Sequence, residues 1–127
     1  MLSLPPSVKI YASTEPMDMR CTYNGMSLAV RGVLAAEPLS GHLFVFFNRR
    51  GDQCRCLYWD RDGYVMVGKR LSRGRFKLPW EAGAVQGARY ELEATELMVI
   101  LGGLELRGAV RRKRWEPGGA LRTPLRI

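Results

Sequence analysis

Apolar and polar residues alternate over residues 8–12 (VKIYA), the two-residue period of a strand with one buried face. From Tyr23 the period changes. Met26, Ala29, Val30, Val33 and Leu34 recur at the spacing of a single helical stripe, which predicts an amphipathic helix there. Asp18 is the expected cap, because a carboxylate accepts the free N–H groups of a first turn. Pro38, Ser40 and Gly41 are expected to stop the helix.

The pattern then becomes strand-like for some forty residues. Residues 42–47 (HLFVFF) are apolar almost without interruption, as in a strand buried on both faces. Residues 48–52 (NRRGD) form a turn with Gly51 at a positive-φ position. Residues 53–60 (QCRCLYWD) place Cys54, Cys56 and Tyr58 on one face and Arg55, Leu57 and Trp59 on the other. Asp62-Gly63 is the expected hairpin turn, residues 64–71 the returning strand, and residues 75–78 a further short strand. Residues 79–88 read as a loop, and the later part of 92–104 as a second short helix with Gly102 and Gly103 near its end. Pro117, Gly118 and Gly119 mark a disordered tail. The expected fold class is α+β, an antiparallel β-meander with two short helices, in one domain over residues 8–106 with a basic, partly disordered tail over 107–127.

Charge changes the picture from fold to function. The net charge of +8 lies in two blocks, residues 49–77 and 107–127, each carrying +6, while the remainder is acidic. Concentrated positive charge favours a polyanionic partner, because each Lys or Arg beside a phosphate releases condensed counterions. There is no 18-residue apolar run, so no membrane span is expected. Nor do the opening residues have the charged and long apolar regions of a secretion signal. Three cysteines, an odd number, fit a reduced, cytoplasmic setting.

The chemistry-bearing residues each have a plain structural reading. Asp60 and Asp62 begin like a calcium loop, but Leu71 stands where the twelfth-position Glu would be. Cys54 and Cys56, two apart on a strand, stack as small core residues rather than converging on zinc. His42 is the one histidine, at the start of an apolar strand, where a structural role is commonest. Gly68-Lys69-Arg70 lacks the remaining residues of a phosphate loop. No cofactor or metal is expected. The basic clusters are left as candidate phosphate contacts: Arg49, Arg50, Lys69, Arg70, Arg73, Arg75 and Lys77 from the meander, and Arg111, Arg112, Lys113 and Arg114 from the tail. Tyr58, Trp59 and Tyr64 are candidates for base stacking, with burial in the core as the commoner fate.

Several blocks occur in a fixed order: PMDMR (16–20), Gly25, SGHLFVF (40–46), RRGD (49–52), LYWDRDG (57–63), KRLSRGRF (69–76), Pro79 and LELRGAVRRKRW (104–115). Their order resembles the second-open-reading-frame accessory proteins (TnpB) of the insertion sequence 66 type of bacterial transposable element, over about residues 8–117. The motif residues that carry this resemblance include Asp18, Met19, Arg20, Gly25, Trp59, Asp60 and Gly63. Cys21, Thr22, Gln53, Cys54 and Cys56 depart from its usual pattern. The resemblance implies a role in transposition beside a separate, larger transposase, and gives no catalytic residues. Two functional expectations follow. One is a non-enzymatic accessory factor that contacts DNA, in particular insertion-sequence ends. The other is a module that docks on the transposase or another element-encoded protein without touching DNA. A metal-dependent nuclease ranks last, because it needs carboxylates that converge in space.

Overall fold

The computed structural model describes residues 7–83 and 87–102. The expected tail, with Arg111, Arg112, Lys113 and Arg114, lies outside the described residues. The elements in chain order are β1 (Ile10–Ser13), α1 (Tyr23–Gly32), β2 (Leu43–Phe47), β3 (Gln53–Asp60), β4 (Gly63–Arg70), a 3-10 turn (Pro79–Ala82), β5 (Arg89–Leu92) and α2 (Ala94–Gly102). They form an α+β fold around one mixed sheet in the order β4-β3-β2-β1-β5. The meander β2-β3-β4 is antiparallel as expected, β5 runs antiparallel to β1, and β1 and β2 are parallel with α1 as their crossover.

The core follows from the two-residue period of the strands. On one face Phe44, Phe46 and Leu57 meet Met26, Val30 and Leu34 of the α1 segment. On the other face Ile10, Ala12, Leu43, Val45, Phe47, Cys54 and Cys56 pack with Phe76 and with Leu97 and Leu101 of α2. β2 is buried at all five positions because it lies mid-sheet with covered faces on both sides. Among the described residues no helix is long and apolar enough to cross a membrane.

Four local expectations are corrected. Asp18 does not cap α1: it lies four positions before Thr22, whose hydroxyl accepts the Gly25 N–H at 3.4 Å. The helix ends at Gly32, before Pro38. Ala35 turns left-handed at φ 50°, and the Ala36 N–H reaches back to the Val30 carbonyl. The β3-β4 hairpin turns on Arg61 and Asp62, with Arg61 at φ 54° and Gly63 already paired to Asp60. Residues 75–78 are not a strand. The Phe76 N–H donates to the Gly51 carbonyl, while Phe76 plugs the core. The added strand is β5, between the expected loop over 79–88 and the expected helix in the later part of 92–104, where no strand was expected.

Candidate functional site

In an open sheet, the loops leaving the carboxyl ends of parallel strands splay apart and leave a crevice. Here the two parallel strands end at Ser13 and Phe47. The loop after β1 contains Pro16 to Arg20, and the turn after β2 contains Asn48 to Asp52. The Met17 N–H donates to the Phe47 carbonyl at 2.9 Å and ties one loop to the other. Between them lies an open groove of about 510 Å³, lined on one wall by residues 16–20 and on the other by Asn48, Arg49, Arg50 and Gln53.

The basic turn is braced from within. The Asn48 side-chain oxygen accepts the Asp52 and Gln53 N–H groups, both at 3.0 Å, and its amide donates to the Asp52 carboxylate at 2.7 Å. That amide bond, with Arg50 and Arg70 nearby, holds the Asp52 carboxyl below its ordinary range. Gly51 sits at φ 77°, and a Cβ there would lie 3.0 Å from the Arg75 guanidinium. The next segment is stitched onto the same turn, because the Leu71 and Phe76 N–H groups donate to the Asp52 and Gly51 carbonyls.

This brings together part of the basic set. Arg49 and Arg50 are exposed on the turn, Arg70 is exposed at the end of β4 opposite Gln53, and Arg73 and Lys77 are exposed on the segment that follows. Among the described residues none of these five makes an ion pair. Lys69 and Arg75 differ. Strand alternation sends Lys69 to the opposite face from Arg70, where its ammonium donates to the Leu101 carbonyl in the last turn of α2. Arg75 pairs with Glu81 at 2.8 Å.

The motif residues divide between the two ends of the sheet. Asp18 accepts both the backbone N–H and the guanidinium of Arg20, with the closest side-chain contact at 2.7 Å. The Arg20 bonds hold the Asp18 carboxyl down at about 2. Met19 packs beneath α1, and Gly25 lies in its first turn beside Cys21, where an added Cβ would meet the Cys21 Cβ at an ordinary contact distance of 3.4 Å. Trp59, Asp60 and Gly63 lie at the far end, with Trp59 edge-on to Tyr64 at 5.1 Å between ring centres. Tyr58 packs against the core on the α2 side. Sequence reasoning missed Met17, which fastens the two loops, and Asn48, which organises the turn. An Asn just before a Gly-containing turn was a readable signal for the second.

The remaining polar candidates have structural partners. His42 Nδ1 accepts the Lys9 N–H at 3.0 Å. Cys54 and Cys56 are buried side by side, and the Cys56 thiol together with burial pushes the Cys54 thiol up. Asp52 belongs to the turn, and Asp60 and Asp62 belong to the distant hairpin. Among the described residues no group of three or more His, Cys, Asp or Glu is placed to hold a metal ion.

Two curated proteins of Sinorhizobium fredii (strain NBRC 101917 / NGR234) are similar to this chain. The uncharacterized protein y4hO is 32% identical over 117 residues, covering 92% of this chain and 96% of its own length. The uncharacterized protein y4jC is 31% identical over 105 residues, covering 83% and 86%. No solved structure matches. The family described as IS66 Orf2-like protein matches residues 8–111, and the chain belongs to that family of accessory proteins associated with transposition.

Proposed function

We propose that the protein is a non-catalytic, cytoplasmic accessory factor for insertion-sequence transposition that contacts DNA through backbone phosphates. One observation carries this reading. Arg49, Arg50, Arg70, Arg73 and Lys77 are exposed at one end of the sheet and, among the described residues, make no ion pair, although Arg50 and Arg70 lie near the Asp52 carboxylate. A cation without an internal partner keeps its full charge for a phosphate, and a braced turn presents it at little entropic cost. Arg111, Arg112, Lys113 and Arg114 add charge from the tail. Lys69 and Arg75 join the surface only by giving up their internal partners. Phosphate contacts position a protein without reading sequence, so little preference among duplexes is expected.

Binding to an element-end duplex and a scrambled duplex across a salt series tests this. The expected result is similar affinity for both, falling steeply with salt. Arg50→Glu with Arg73→Glu should weaken binding to both duplexes and flatten the log–log salt slope by about 2, close to one per lost phosphate contact. Wild-type affinity in that double variant overturns the surface. A second reading has support of its own. The groove places Met17 and Met19, both half-buried, beside Arg49 and Arg50, and an apolar floor with a cationic rim suits an acidic protein segment. Absence of DNA binding at low salt, with transposase co-purifying after nuclease treatment, favours that reading.

A further inference from the structure

The sheet has two edges, and they differ. β5 is four residues long and carries exposed Arg89 and Glu91, which is how natural sheets blunt an edge. β4 is eight residues long, pairs with β3 at every position without a bulge, and contains no proline. Its centre is Tyr64, Val65, Met66 and Val67, with Val67 40% exposed. The charges stand only at its ends: at the hairpin Asp60 and Asp62 outweigh Arg61 and leave a net −1, and Lys69 and Arg70 stand at the other. Because ladder bonds alternate, every second residue of β4 directs both backbone groups outward, with no strand among the described residues to receive them.

We propose that β4 pairs antiparallel with β4 of a second copy of this chain. The charge pattern selects that occupant. A two-fold axis through the strand centre brings the acidic end of each copy to the basic end of the other. With the axis at Met66 the facing residues share a face, and Asp62 comes opposite Arg70 of the second copy in two symmetric pairs. A parallel pairing would instead stack like charges. The interface joins the two sheets, takes Arg70 out of the phosphate-facing set, and leaves Arg49, Arg50, Arg73 and Lys77 to it.

Sedimentation equilibrium of the nuclease-treated full chain tests this over a concentration series. The expected result is a reversible monomer–dimer equilibrium, with β4 amides exchanging more slowly as concentration rises. Val67→Lys and Asp62→Arg should each weaken dimerisation by roughly tenfold or more, since a symmetric interface carries each change twice. Adding Arg70→Asp to Asp62→Arg should restore it, which shows that the single variant was folded. A monomer at every concentration, a dimer that either single variant leaves intact, or a charge swap that fails to restore pairing overturns the proposal. The DNA test uses Arg50 and Arg73, so the two readings fail independently.

Discussion

Gly32 and Ala35 stand in each other's preferred places. Gly32 is helical and exposed, with open space where a Cβ would project, while Ala35 adopts the left-handed conformation that glycine takes without strain. Gly32→Ala and Ala35→Gly should each stabilise the fold by about 0.5–1 kcal/mol, read from the denaturant midpoint. Arg20 holds Asp18 near 2 against an ordinary 3.8, so the pairing stabilises the folded state above about 3.8 and is lost as pH falls through 2. An NMR titration should place the Asp18 midpoint near 2, and Arg20→Gln should return it toward 3.8. These residue-scale facts were the least legible in the sequence. An Asp ahead of a helix reads as a cap, but the cap goes to whichever side chain reaches the free N–H groups, and Thr22 is nearer than Asp18.

Elements were legible where burial imposes a period. α1 shows its stripe, β2 its unbroken apolar run, and β3 its alternation, with β4 returning after a short turn. β5 was not legible: it has four residues, two of them charged, at a sheet edge where burial asks little of the sequence. Parallel pairing of β1 with β2 also left no local trace, since strand order is decided by which faces α1 and α2 cover. Layering does predict where damage matters. Phe44→Ala, at a fully buried site beneath α1, should cost about 3–5 kcal/mol, a large share of a typical domain's stability. Leu28→Ala, at a position on α1 that is 68% exposed, should change stability by no more than about 0.5 kcal/mol. Chemical denaturation of the two variants separates them.

Across the whole molecule, the sequence displayed the positive charge as blocks, and folding sorts it. Arg49 and Arg50 meet Arg73 and Lys77 only because the Gly51 and Asp52 carbonyls hold the segment after β4. Lys69 and Arg75, adjacent to that set in the chain, are diverted to α2 and Glu81. Clustering of this kind depends on which backbone groups need partners, a question that composition does not answer. The candidate surface was therefore half visible: its residue types and rough location could be read, but not which cations remain unpaired.

Strand order also fixes a sequence in time. Among the described strands β1 is the first to be synthesised, yet it sits between β2 and β5, and β5 is the last of them to be made. During synthesis, β1 has an open outer ladder until residues 89–92 have left the ribosome, and a chain stopped before them keeps a raw edge on each side of its sheet. Partial translation should therefore yield a sticky product, and the completed β5 strand is what seals the amino-terminal strand in place.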